Sequence, residues 1–195
     1  MTDSSATEIL RSRFPNAVLA SRRYANEDTV VVAKDEVVAI CRFLRDDPRT
    51  AFTMLMDLSC VDYLKFGRWA LSMPTTTTPS PLPYFMKPKP ETETWERGVG
   101  SEFRFDVVYH LYSMPHNQRL RLRVPVKSAE AVVDSVTRIW ASANWFERDV
   151  WDMFGIRFAG HPDLRRILMY DGFEGHALLK DYPITRRQPI IGAQT

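Results

Sequence analysis

The side chains able to do chemistry are few, and most lie in the last third of the chain. Glu147 and Arg148 are adjacent, and His161 and His176 follow with Asp163, Asp171 and Glu174 around them. Two histidines with three carboxylates could hold a metal ion, and a Glu–Arg pair could serve acid–base chemistry. Neither reading has its usual context. The histidines are not at the i, i+4 helical spacing of a zinc-binding pair, and no nucleophile or phosphate-cradling loop accompanies Glu147. Turn-fixing hydrogen bonds from the histidines and a structural salt link at Glu147–Arg148 fit better. A free-standing metal enzyme using the two histidines remains the alternative from that class. Cys41 and Cys60 stand far apart with no CxxC pairing, so alone they cannot ligate an iron–sulfur cluster or a structural zinc. They point to a reducing compartment. A G-x-G-x-x-G after a strand is absent too.

The bulk properties exclude other classes. The 195 residues make one domain, or one domain with an extended arm. Net charge is only +2, too balanced for a protein that binds nucleic acid by neutralising phosphates. Residues 155–195 carry six basic and four acidic side chains, which accounts for that surplus. No apolar run reaches the roughly 20 residues that span a bilayer. The first fifteen residues lack an apolar stretch and include Asp3 and Glu8, so neither a signal nor a transit peptide is expected.

Several elements must position these groups. Ser4 or Ser5 with Glu8 predicts a capping box and a short helix to about Arg13. Residues 18–24 and 29–33 read as a hairpin. Asp35 is expected to cap an amphipathic helix carrying Val37, Val38, Ile40, Cys41 and Leu44 on one face. Strands are expected over 52–66, 103–112 and 120–126. The last alternates Leu120, Leu122, Val124 and Val126 with Arg121, Arg123 and Pro125, as in a sheet with one solvated face. Ser128 and Glu130 should open another helix, with Val132, Val136, Ile139 and Trp140 in its apolar stripe. Residues 67–100 hold six of the 13 prolines, which blocks helix and ladder alike. Trp69, Tyr84, Phe85 and Trp95 suggest that this insertion lies down on something. The sum is an α+β fold, a mostly antiparallel sheet of about four strands with flanking helices. Residues 1–154 form its core domain and 155–195 an extended C-terminal arm.

The stretch from Asn144 to Pro183 is the most informative. Asn144 with Glu147 predicts an N-cap and its reciprocal partner, for a helix ending at Gly155. On a helical wheel Phe146, Val150, Met153 and Phe154 form one stripe. Arg148, Asp149 and Asp152 lie opposite, with Trp145 among those charges and Glu147 between Trp151 and Phe154. A second surface is expected to cover this helix. Beyond Gly155 the apolar residues follow neither helix nor strand period, so the arm is expected to need another polypeptide to order it. Its arginines, Arg165, Arg166, Arg186 and Arg187, suit bidentate pairing with a partner's carboxylates.

These residues resemble the 30-kDa-type subunit of respiratory complex I, the C-type subunit in bacteria. The shared pattern is Glu147-Arg148-Asp149, Asp152, Phe154-Gly155-Ile156, Phe158, Gly160-His161-Pro162 and Leu164-Arg165-Arg166-Ile167-Leu168. Gly175-His176 and Lys180-Asp181-Tyr182-Pro183 follow. That many matches at fixed spacing is specific. Asp57, Asp62-Tyr63, Val108-Tyr109-His110-Leu111 and Ser135-Val136 also fit, so the resemblance covers most of the sequence outside 67–100. Ala177 and Leu179 depart from the Pro and Arg usual in that family, and Asp149 replaces a Glu.

The resemblance implies a non-catalytic structural subunit of the peripheral arm of a proton-translocating NADH:quinone oxidoreductase. It would carry no catalytic, cofactor or metal residues, with FMN and iron–sulfur clusters held by partner subunits. It would pack against the large quinone-site subunit and the cluster-bearing subunits, at the cytoplasmic face of the bacterial inner membrane. Trp145, Glu147, Arg148, Trp151, His161, Arg165, Arg166, His176, Lys180, Asp181 and Tyr182 are the expected partner-binding residues. The equivalent scaffold of a membrane-bound hydrogenase or a formate-oxidising complex is the alternative.

Overall fold

Backbone ladders and a single apolar core organise the chain. The structure, a computed structural model, describes residues 5–64 and 102–188. The Pro-rich insertion 67–100, the far end of the strand expected over 52–66 and the last residues of the arm lie outside the described residues. Five strands form the main sheet: β1 (Val18–Tyr24), β2 (Glu27–Val32), β3 (Met54–Asp62), β4 (Phe105–Ser113) and β5 (Gln118–Val126). Their order is β1-β2-β5-β4-β3, one strand more than about four, and every pairing is antiparallel except β2 with β5. Ala25 and Asn26, at φ +49° and +67°, close the first hairpin as a two-residue turn.

Helix α1 (Ala6–Arg13) begins at a Ser5–Glu8 capping box, as the sequence implies. Helix α2 (Val37–Asp46) differs at its start. A short 3-10 turn (Lys34–Glu36) precedes it, and neither Asp35 nor any neighbour caps it through a side-chain hydrogen bond. Val37, Ile40, Cys41 and Leu44 are nevertheless buried on the predicted face. They meet Val30, Val32, Leu58, Val107, Tyr109, Leu120, Leu122, Val124 and Val126 in one core.

Two expectations are overturned. The helix after Ser128 does not form. A 3-10 turn (Ser128–Glu130) leads instead into β6 (Val132–Asp134), which pairs in parallel with β7 (Arg157–Ala159). Val132 and Val133 are β-branched, and β7 gives their backbone groups partners that a lone helix end would lack. Val136, Ile139 and Trp140 still reach the core, through turns rather than along a stripe. The second face of the sheet is also not simply solvated. Arg123 is only 7% exposed, and it donates to Asp106 and to the Tyr63 hydroxyl. A long cationic side chain there is tolerated because its carboxylate partner is buried beside it.

Helix α3 (Ala143–Phe154) carries the residues of interest. Its N-cap position is Ser142 rather than Asn144, and it ends at Gly155 with φ +77°. The core does not stop there. Ile156 and Phe158 are buried in it, so the apolar domain runs through β7 to Ala159.

Candidate interaction face and its polar supports

Glu147 does not cap its own helix. It is fully buried, with Oε1 accepting from the Val136 N–H at 2.7 Å and Oε2 from the Ser135 hydroxyl at 2.7 Å. It therefore ties the turn after β6 to α3. Burial, only partly offset by these two donors, pushes its carboxyl up to about 7.

Asp152 and Arg148 lie on the face that the helical wheel assigns to solvent, yet both are buried. The reason is the arm, which folds back across α3. One Asp152 oxygen accepts from the Ile167, Leu168 and Met169 amides at 3.1, 2.9 and 2.9 Å, and Arg166 pairs with the other. Consecutive amides converging on one carboxylate make an anion nest. Burial pushes Asp152 up, but the amides and Arg166 outweigh it and hold the carboxyl below its usual range. Arg166 also donates to the Phe173 and Gly175 carbonyls at 2.8 and 3.1 Å. Arg148 donates to the carbonyls of Arg165 and Arg166 and lies 5.0 Å from the Trp145 ring. The Glu147–Arg148 salt link therefore does not form, because each side chain is committed to a different neighbour.

The two histidines act at turns. His161 accepts from the Asp163 amide at Nδ1, 3.0 Å, which leaves Nε2 to donate to the Asn144 carbonyl at 3.2 Å. His176 Nδ1 lies 2.9 Å from the Asp152 carbonyl. A Cβ at residue 155 would come within 2.8 Å of the His176 ring, so Gly155 serves both the left-handed turn and this approach. His176 also meets Trp151 edge-on, at 6.3 Å. Among the described residues no group of three or more His, Cys, Asp or Glu could hold a metal. Burial, then the nearby carboxylates, pushes both Cys41 and Cys60 well above the usual thiol range, which makes them poor nucleophiles.

A second support lies at the end of β3. Asp62 receives Arg104 through both oxygens at 3.1 and 2.9 Å, the Leu64 amide at 2.9 Å and the Lys180 amide at 2.9 Å. Arg104 reaches on to Asp181 at 2.6 Å. Tyr182 stacks on Phe173 with centroids 6.0 Å apart, and its hydroxyl meets the Gln188 amide. Leu179, where the resembled family carries Arg, packs against the apolar core.

The arginines expected to seek a partner are thus largely engaged at home. Arg166 serves Asp152, Arg165 pairs with Asp163 at 2.9 Å, and Arg186 pairs with Glu174. Beside exposed charges such as Asp163, Arg165 and Glu174, the arm and α3 also leave large apolar side chains outward: Trp145 is 62% exposed and Leu168 60%, with Leu178 and Ile184 also exposed. Sequence reasoning missed Arg104 altogether. Its contact with Asp181 spans 77 positions, and no local pattern signals it.

Comparison with known proteins gives consistent matches. The family model described as respiratory-chain NADH dehydrogenase, 30 Kd subunit, matches residues 30–188. The C subunit of NADH-quinone oxidoreductase from Geotalea uraniireducens is 37% identical over 185 residues, covering 94% of this chain and 90% of its own. The same-named protein of Geobacter sulfurreducens is 39% identical over 185 residues, covering 94% and 92%. Among solved structures, the trypsin-resistant fragment (1-134) of Nqo5 matches with a TM-score of 0.51 and 26% identity, over 80% of this chain and 96% of that one. A polypeptide of the membrane-bound sulfane sulfur reductase, an archaeal respiratory membrane complex, has a TM-score of 0.55 over 85% of this chain and 75% of that one. At 18% identity it supports the fold alone.

Proposed function

The chain belongs to the respiratory-chain NADH dehydrogenase 30 Kd subunit family, and on that premise we propose that it is a structural subunit of the peripheral arm of a proton-translocating NADH:quinone oxidoreductase. The observation that carries this reading is the near full-length match to C subunits of NADH-quinone oxidoreductase at 37% and 39% identity. In this reading the chain has no catalytic residue of its own. FMN, the iron–sulfur clusters and the quinone belong to its partners, which are the large quinone-site subunit and the cluster-bearing subunits. The placement is peripheral, on the cytoplasmic face of the membrane, and no described helix is long and apolar enough to cross a bilayer.

The chemistry of the side chains supports this role. Glu147, Asp152 and Asp62, which an enzyme could use, are consumed in holding loops. Electron transfer between fixed centres falls steeply with distance, so a subunit that clamps its neighbours sets rates without handling electrons. The arm is the proposed clamp, its inner side fixed to α3 and β3 and its outer side, with Leu168, Leu178 and Ile184, turned to the partner. Trp145, Trp151, His161, Arg165, His176, Lys180 and Tyr182 lie on or beside that clamp.

The test is purification of the tagged full-length protein from its host membranes. Co-purifying flavin, iron–sulfur clusters and NADH-driven quinone reduction are expected, while nickel without flavin would move the chain to a hydrogenase-type assembly. Removing residues 160–195 spares β7, and is expected to leave a folded but less stable domain that no longer enters the complex. Incorporation of that truncated protein into active complex would end the clamp proposal.

A further inference from the structure

The face of the sheet turned away from the helices is drier than its described neighbours explain. The ladder register sets Ser59, Val108, Arg123, Val31 and Ala20 in one row across all five strands. These side chains point opposite to the core set, and neither Val31 nor Val108 belongs to the apolar core that the helices join. Val31 is nonetheless fully buried, and Val108 and Arg123 are each 7% exposed. An antiparallel sheet with one face packed on helices ordinarily leaves the other wet.

The burial is graded along the strands. In the next row toward the end of β3, Asp106 is fully buried and its ladder partner Pro125 is buried too. In the opposite direction Thr29 is still buried, His110 and Arg121 are half-buried, and Met54 and Arg119 are exposed. The burial is graded across the sheet as well, since Val61 and Asp57 on the outer strand β3 are exposed. The cover therefore lies over β4, β5 and β2, and is closest where β3 stops and β4 begins.

Residues 65–101 leave and rejoin the sheet at that end. Tyr63, two residues past Val61, turns its hydroxyl to this face, where Arg123 donates to it at 3.0 Å. Lys127, two past Pro125, pairs with Glu102 at 2.8 Å. The termini are rooted elsewhere. Ser5 donates to Asp28, which stands opposite Leu120 on the core side, and Gln188 meets Glu174 and Tyr182 in the arm.

The composition of 65–101 suits such a face. Crossing to β2 and returning takes about 30 Å of chain at ~4.8 Å per strand spacing, which the 37 residues 65–101 supply several times over. Six prolines favour extended chain that lies flat without ladder partners. Trp69, Leu82, Tyr84, Phe85 and Trp95 offer apolar cover, and Arg68, Lys87, Lys89 and Arg97 offer donors. A donor is wanted. Arg123 serves Asp106 Oδ2, but Asp106 Oδ1 is buried without a hydrogen bond, and such an orphan is costly.

We propose that residues 65–101 fold back over β4, β5 and β2, packing aromatic and proline side chains on Val31, Val108 and Pro125 and bringing a donor to Asp106. The chain closes the second face of its own sheet, so this face is an internal contact and not a docking surface for another subunit. The inference is independent of the structural-subunit reading and stands or falls in the isolated protein.

The test uses the isolated full-length protein as a monomer. A photo-reactive residue at Ser59, half-buried beside Val108, is expected to cross-link within its own chain to a peptide from 65–101, mapped by mass spectrometry. Replacing residues 68–97 by a short Gly-Ser link is expected to raise hydroxyl-radical labelling of Val31, Val108 and Pro125 severalfold, while Val30 and Val107 in the core stay unchanged. Should that variant fail to fold, the wild-type protein decides: Val31 and Val108 should label as slowly as Val30, and not at the rate of exposed Val61. A Ser59 link to residues 189–195 or to a second copy, or no link at all, would overturn the proposal. So would labelling that the excision leaves unchanged, or wild-type labelling of Val31 and Val108 at the rate of Val61.

Discussion

The sheet core and the arm over residues 160–188 are ordered by opposite means. The core excludes water with Leu120, Leu122, Val124, Val126, Tyr109 and Ile40, all at 2% exposure or below. The arm buries no comparable apolar cluster. It is fastened by carboxylates of the domain, Asp152 for residues 166–169 and Asp62 for Lys180, with Arg104 bridging Asp62 to Asp181. Apolar burial is tolerant of detail and adds up over many contacts. A carboxylate nest depends on a few donors aimed at one point, and fails as a unit when the acceptor goes. The arm can therefore be ordered without an apolar core of its own, and its exposed leucines stay available to a partner.

The largest expected effects break one region without the other. Phe158→Ala, in the core, should cost about 3–5 kcal/mol of global stability by denaturant titration. Asp152→Ala leaves three amides and Arg166 without their acceptor, and should cost about 3–5 kcal/mol. Its signature should be loss of protection confined to the arm and α3, whereas Phe158→Ala should loosen the whole domain. If Asp152→Ala loosened the sheet as much as the arm, the two regions would be one unit.

Proton linkage sharpens the contrast further. The folded-state value of Glu147 is about 7, above its unfolded value, so folding favours the protonated form. The stability it contributes is complete below the unfolded value and is lost as pH rises through about 7, on the order of 3 kcal/mol in all. Asp152 and Asp62 have the opposite sign. Their folded values are depressed, so their contribution is present above the unfolded value and fades as the solution is acidified through the folded one. Rising pH should thus loosen the turn after β6 while the arm stays fastened, and strong acid should release the arm. Glu147→Gln should flatten the first dependence and leave the second unchanged, as read by unfolding titrations across pH.

Gly155→Ala is the smallest of these effects. A left-handed conformation costs an L-residue about 1–2 kcal/mol, and the added methyl also meets the His176 ring. The turn at His176, with its bond to the Asp152 carbonyl, should lose protection first.

The same division explains what was legible in the sequence. Periodicity announces β1, β2, β4 and β5 and a hairpin between the first two, because each is decided by residues close in the chain, although β2 starts at Glu27 and leaves only Ala25 and Asn26 in the turn. The stretch 131–140 misleads, since Val132, Val136, Ile139 and Trp140 fit a helical stripe and only the distant β7 strand turns its start into an extended segment. Asp152 and Arg148 look solvated on a helical wheel because the wheel contains no arm. Glu147 has the spacing of a capping partner, but the Ser135 and Val136 donors, 12 and 11 residues away, outcompete its own helix. The arm itself reads as unable to order alone when only its apolar residues are counted, because its order comes from backbone amides, which carry no sequence signal.

Amide exchange at Ile167, Leu168 and Met169 in the isolated full-length protein tests this account most directly. If Asp152 fastens the arm without a partner, these three amides exchange slowly in wild type and at nearly unprotected rates in Asp152→Ala. Unprotected exchange at all three in the wild-type monomer would mean that the arm is ordered only by another subunit, and the carboxylate nest would not be what holds it.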